Sequence, residues 1–187
     1  MKRIMFNDKY GLTQAVLRGI KIQTRRICKE QHWSFSDLVN ANENDHFIFE
    51  RPRFRRGEVL AVAQSYRDAG YTFCVNAAAW NSKMFTKAEY MPHQIRITKV
   101  RVERLQNISD EDCIKEGVQE VCVNNNWGNS AAHWEFQVPY EDKFGRTKLL
   151  RGTTAREVFS VLIDRISGKG TWDSNPYVFV YEFELIR

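Results

Sequence analysis

Ala15-Val16-Leu17-Arg18-Gly19-Ile20-Lys21-Ile22-Gln23-Thr24-Arg25-Arg26 joins the end of a helix to a dense run of chemistry. Just upstream, Leu12, Ala15 and Val16 recur at i, i+3 and i+4 and so share one helical face. Gly19 stands where a helix-stopping residue in the left-handed conformation is needed. An amine, a hydroxyl and two guanidiniums (Lys21, Thr24, Arg25 and Arg26) then follow within six residues. Such a set can hold an anionic or amide-bearing ligand. The alternative is a solvated basic turn, and the rest of the chain must decide between them.

Working outward, Ile108-Ser109-Asp110-Glu111-Asp112-Cys113 opens a second short helix. Ser109 is its cap, Asp112 completes an approximate capping box, and three acids suit the positive end of the helix dipole. Gly117 stops it, which leaves Glu116 in the last turn, where the dipole disfavours a carboxylate unless something else stabilises it. The alternative for Glu116 is an exposed helix-end glutamate. Before this helix, Glu58-Val59-Leu60-Ala61-Val62-Ala63-Gln64 has the length and apolar continuity of a strand buried on both faces. Tyr71-Thr72-Phe73-Cys74-Val75 reads as another strand. Ile95 to Glu103 alternates but changes phase between Ile97 and Val100, which predicts a bulge near Thr98–Lys99.

Thr154-Ala155-Arg156-Glu157 is a further capping box, opening a helix with an apolar stripe of Phe159, Leu162, Ile163 and Ile166. Trp172-Asp173-Ser174-Asn175-Pro176 reads as a turn, and Tyr177 to Leu185 as the strongest strand in the chain. Residues 28–56 lack sustained periodicity apart from a short strand around His46–Glu50. Their end, Arg51-Pro52-Arg53-Phe54-Arg55-Arg56, interleaves cations with one aromatic, either as a phosphate-tracking loop or as a solvated approach to the next strand. Trp134 to Val138 and Thr147 to Leu150 flank Asp142-Lys143-Phe144-Gly145 as an inserted hairpin. Strands outnumbering short helices predict an α+β fold, mainly β, with a curved sheet or small barrel.

Composition narrows the function classes. A hydrophobic content of 43% and 13% aromatics argue against disorder, and 187 residues suit a single domain over 1–187 with insertions at about 28–50 and 120–150. No apolar run approaches a membrane span, and the polar break after Met5-Phe6 is too early for a signal-peptide core, so the expectation is a soluble, cytoplasmic protein with no membrane partner. Cys28, Cys74, Cys113 and Cys122 are scattered, and the four histidines form no helical pair, so neither a metal site nor any other cofactor is expected. The net charge of +5 is uneven: residues 1–56 carry 12 Lys/Arg against 6 Asp/Glu, the remainder 16 against 17. Positive charge localised in this way suits a polyanionic partner, although basic excess is common among soluble domains.

Together these segments resemble the ASCH domain, a PUA-like β-barrel family, and its phage-encoded members in particular. The resemblance rests on Ala15 to Arg26, Gly57 to Val62, Tyr90-Met91-Pro92 with Ile95-Arg96-Ile97, Val100 to Gly117, and Gly168 to Val180. It implies a pseudobarrel with short helices packed on it and a cleft near the lysine and threonine, binding RNA or a modified nucleotide. One bacterial branch is an amidohydrolase that deacetylates N4-acetylcytidine through a lysine, a threonine and a glutamate. By motif position these fall on Lys21, Thr24 and Glu116, which makes this chain a candidate metal-independent hydrolase. The chain departs from many phage relatives in having Ala63-Gln64 where they place an Arg-Glu pair, and it is much longer than the amidohydrolase branch.

Three functions remain open on these grounds. In the first, Lys21, Arg25 and Arg26 contact phosphate while Tyr66 or Trp172 stacks on a base. In the second, Thr24 attacks an acyl carbonyl with Lys21 as base. That requires the lysine pKa to fall from about 10.4 to near 7, roughly 4–5 kcal/mol of differential stabilisation, and an ionised Glu116 opposes the shift. A third possibility is a phage assembly role without ligand chemistry. The oligomeric state is not legible.

Overall fold

The computed structural model describes residues 1–28, 52–73, 77–123 and 133–186. Its centre is a five-stranded sheet ordered β1-β3-β4-β8-β2, comprising β1 (Arg3–Ile4), β2 (Gln23–Ile27), β3 (Val59–Val62), β4 (Gln94–Arg104) and β8 (Tyr177–Leu185). Only β1 and β3 run parallel; the other pairs are antiparallel. The second sheet, β5 (Gln119–Val123), β6 (His133–Glu141) and β7 (Thr147–Gly152), is antiparallel and contains the inserted hairpin. The fold is thus α+β with strands predominating.

The apolar run Tyr177 to Tyr181 explains why β8 lies inside the sheet, with β4 on one side and β2 on the other. Val178, Phe179, Val180 and Tyr181 are all buried, as a strand covered on both faces requires. The phase change in β4 is a register shift between Ile97 and Lys99, so one extra residue swaps the faces of the strand where the sequence pattern swaps them. Among the described residues the backbone ladder stops at β1 and β2, without closing a barrel. The two edges nevertheless approach, because the Arg26 guanidinium on β2 donates to the Met5 carbonyl just after β1. The sheet is therefore curved enough for one side chain to span its mouth.

The helices follow from their ends. In α1 (Leu12–Leu17), Leu12, Ala15 and Val16 are buried, and the Gly19 and Ile20 amides donate back to Val16 and Ala15 with Gly19 at φ 71°. Helix α3 (Asp110–Lys115) is capped by Ser109, whose hydroxyl accepts from the Asp112 amide. Its far end repeats the pattern, with Gly117 donating to Ile114 and Val118 to Cys113. Helix α4 (Ala155–Ser167) starts at Thr154, which accepts from the Glu157 amide, and buries Val158, Phe159, Leu162 and Ile163. These residues pack with Val138 and Leu150 of the second sheet and with β8 in a single core.

Two expectations are corrected. Tyr71 to Phe73 form no strand: Phe73 is 75% exposed, so β propensity there is not rewarded by burial, and Tyr71 instead packs edge-on against Tyr66 and Tyr90. The remainder of that segment, Cys74 and Val75, lies outside the described residues, as do the strand expected at His46–Glu50 and the turn-rich Asn124 to Ser130. Trp172 to Pro176 is not only a turn. A single helical turn, α5 (Thr171–Ser174), precedes Asn175, whose φ of 45° ends it before Pro176. The Gly170 and Trp172 amides donate to the Asp164 carboxylate, which supplies a partner for amides at the start of α5. Ala77–Asn81 adds a short helix, α2, that periodicity does not signal.

Candidate functional site

The backbone turn at the end of α1 delivers Lys21 alongside the end of α3. The Ile22 amide donates to the Lys115 carbonyl at 3.0 Å, and the Ile22 carbonyl accepts from Phe183 of β8. One residue thus ties the edge of the first sheet to the last turn of α3. The consequence for the side chains is direct. Lys21 Nζ donates to Glu116 Oε2 at 2.6 Å and to the Glu116 carbonyl at 2.8 Å. Lys21 is 2% exposed and Glu116 5%, so the pair is out of water.

Antiparallel pairing decides which face each β2 side chain takes. Thr24 lies opposite Tyr181 and Arg26 opposite Phe179, on one face of the sheet. Gln23 and Arg25 point to the other face, opposite Glu182 and Val180. There Arg25 donates to Glu103 at 2.6 Å and to Asp112 at 2.9 Å, and its Nη1 reaches Glu116 Oε1 at 3.1 Å. Arg101 extends the network to Asp112, Glu103 and Glu182. Glu116 straddles the sheet edge, giving one oxygen to the lysine and the other to the arginine. This explains the carboxylate at a helix C-terminus: two cations outweigh the unfavourable dipole.

The electrostatics follow from burial against pairing. Burial is the largest influence on Lys21 and lowers its pKa; Glu116 pulls it upward, and Arg26 and Arg25 lower it further, leaving it below the ordinary lysine value. For Arg25 burial also works downward, but Glu116, Glu103 and Asp112 outweigh it and the net shift is upward. Burial favours the neutral form of Asp112, yet the nearby Gln23 side chain, the hydrogen bond from Arg25 and the charges of Arg25 and Arg101 hold its pKa below the usual carboxylate range. Tyr181 goes the other way: burial pushes its hydroxyl up to about 12.

Lys21, Thr24, Arg25, Arg26 and Glu116 all line one cavity of about 630 Å³. Its remaining wall is largely apolar and aromatic, made by Phe6, Phe54, Phe159, Leu162, Phe179 and Tyr181, with Arg3 and Arg53 adding charge. The two distant segments of the functional argument therefore meet. Tyr66 and Trp172 do not line this cavity. Tyr66 belongs to a cluster with Tyr71 and Tyr90, while Trp172 packs edge-on against Phe159 under the Arg156 guanidinium. Arg25, with 1% of its side chain exposed, is committed to three carboxylates. Of Lys21, Arg25 and Arg26, Arg26 is the exposed one.

Sequence reasoning missed the partners of Arg25. Asp112 reads only as part of a capping box, and no pattern connects Arg25 with Glu103, 78 positions away. It also missed Phe6, Phe179 and Tyr181 as cavity walls, although their signal was present: Phe179 and Tyr181 are two apart on a strand and must share a face. Among the described residues no cluster of His, Cys, Asp and Glu is arranged to hold a metal ion, and no helix is long and apolar enough to cross a membrane. Comparison with protein-family models, with curated proteins and with solved structures gave no match.

Proposed function

We propose that this chain is a PUA-like domain of the ASCH type that takes a nucleoside or nucleotide-like ligand, free or as one unit of an RNA strand, into the cavity beside β2. The observation that carries this reading is the pairing, in one cavity, of a charged pole with an aromatic wall. Lys21, Thr24, Arg26 and Glu116 supply donors and acceptors, and Phe6, Phe54, Phe179 and Tyr181 supply ring surface. Bases are held by aromatic contact and by hydrogen bonds to their edges, so both kinds of group are needed together. The volume of about 630 Å³ falls within the range of small-molecule sites. Arg25 has a supporting task in this reading: it fixes Glu116, which in turn orients Lys21.

A second reading, hydrolysis of an acylated nucleoside, is favoured by one specific observation. Lys21 combines a 2.6 Å contact to Glu116 with a pKa lowered by burial, and Thr24 is three residues away in the same cavity. In that chemistry the Thr24 hydroxyl adds to the acyl carbon and its proton passes to neutral Lys21. The amine leaves with a proton, and water releases the acid from Thr24.

Calorimetric titration with the four ribonucleosides, their monophosphates and N4-acetylcytidine, run beside an acetate-release assay, tests both readings. Binding that weakens about tenfold or more in Phe54→Ala supports the cavity ligand; absence of binding to every member of the panel removes it. Acetate release abolished in Thr24→Ala, with binding kept, establishes the hydrolytic reading, and no release leaves binding alone.

A further inference from the structure

The charge inventory of the cavity is unbalanced in a particular place. Among the described residues five cations line it, Arg3, Lys21, Arg25, Arg26 and Arg53, against the Glu116 carboxylate. Three of those cations are already committed. Lys21 and Arg25 share Glu116, and the Arg3 guanidinium donates to the carbonyls of Thr86 and Met84 at 2.6 and 2.7 Å. Arg26 and Arg53 differ. Among the described residues neither has a carboxylate within ion-pair distance, and both are exposed.

Both are nevertheless held in place. The Arg26 guanidinium lies 6.0 Å from the Phe6 ring centre, and its other anchor is the Met5 carbonyl. The Arg53 guanidinium lies 5.4 Å from the Phe54 ring centre, and its backbone amide donates to the Tyr181 hydroxyl at 3.1 Å. The two charges also feel one another. After burial, and against the pull of Glu116, the Arg53 charge lowers the Arg26 pKa. Two guanidiniums backed by rings at one cavity, repelling one another, have among the described residues no anion that satisfies both.

We infer that the ligand of this cavity carries a phosphomonoester, bound between the Arg26 and Arg53 guanidiniums while the rest of the molecule lies against the aromatic wall. The inference rests on the proposed cavity ligand and names its charged end. A tetrahedral dianion offers three oxygens, enough for two guanidinium forks, whereas a carboxylate satisfies one fork and a neutral nucleoside satisfies neither. The phosphate group is therefore the chemistry that answers both unpaired cations.

The test compares each ribonucleoside with its own 5′- and 3′-monophosphates by calorimetry on the full chain at low and at moderate salt. The expected result is a monophosphate that binds about ten- to hundredfold tighter than its nucleoside, an advantage that shrinks with added salt. Arg53→Gln removes most of that advantage while the nucleoside itself binds as before, which also shows that this variant is folded, and Arg26→Gln lowers monophosphate affinity by more than it lowers nucleoside affinity. Arg26→Lys, keeping charge without the fork, restores part of it. Equal affinity for nucleoside and monophosphate overturns the phosphate subsite and leaves the cavity reading standing. So does a monophosphate advantage that survives the double variant, since the phosphate then lies elsewhere. If neither nucleosides nor monophosphates bind, the cavity reading and this inference fall together.

Discussion

Glu116 is the residue on which the candidate site depends, because it holds two buried cations at once. Its Oε2 meets Lys21 and its Oε1 meets Arg25, with Lys21 at 2% and Arg25 at 1% side-chain exposure. Removing the charge leaves the buried Lys21 ammonium without its carboxylate and takes one of three carboxylates from the Arg25 guanidinium. Glu116→Gln is therefore expected to cost on the order of 3–5 kcal/mol in urea unfolding, the usual penalty for breaking a buried pair on one side. The control is Glu184→Gln, which loses an ion pair to Arg96 at 3.2 Å in which both side chains are about half exposed. That change should fall within about 1 kcal/mol of wild type. Equal losses from the two variants would show that the Glu116 pairs are hydrated and that burial does not set their strength. The same reasoning explains why Arg25, basic by sequence, is not available to a ligand: three carboxylates already enclose it.

At the scale of elements, the site is made by two short helices that end alike. Helices α1 and α3 each terminate on a glycine with positive φ, Gly19 at 71° and Gly117 at 107°, and each delivers a site residue next to that glycine or two residues beyond it. Gly117 also lies against α1. A Cβ there would stand 3.4 Å from Leu12 Cδ2 and 3.7 Å from Lys21 Cβ. Gly117→Ala is thus expected to destabilise by about 1–3 kcal/mol, chiefly from the backbone conformation, and to disturb the Lys21–Glu116 contact. Gly19→Ala, with nothing within 4 Å of the added atom, bears the conformational penalty alone. Thermal unfolding of both variants checks this; a Gly117→Ala protein as stable as wild type would mean that the end of α3 is free to relax. Strand β2 contributes differently. Its pleat sends Thr24 and Arg26 to one face and Gln23 and Arg25 to the other, so one pentapeptide contributes both to the cavity wall and to the ion network.

Across the whole molecule, the two sheets do not carry equal burial. Strand β8 is paired on both sides and buries Val178 to Tyr181, whereas in β5 Glu120 and Cys122 are exposed and the remaining residues only half-buried. Amide hydrogen exchange should therefore be slowest in β8 and β4 and markedly faster in β5 and β7. Exchange at one common rate would instead indicate that both sheets open together. Much of this architecture was legible from residue order. The helix stops at Gly19 and Gly117, the caps at Ser109 and Thr154, the bulge in β4 and the burial of β8 are all local signals, arising from backbone sterics and periodicity that a few neighbouring residues determine. The strand expected at Tyr71 to Val75 does not form over its described part, Tyr71 to Phe73, because β propensity has no force without a face to bury. What tertiary structure alone decided is who meets whom. Strand order brings Lys21 to Glu116, Arg25 to Glu103 and Arg53 to Tyr181, across separations of 95, 78 and 128 residues. Charge and burial at such meetings depend on through-space neighbours, which no local run of sequence encodes, so the residue types of the site could be read along the chain but their pairing and their depth could not.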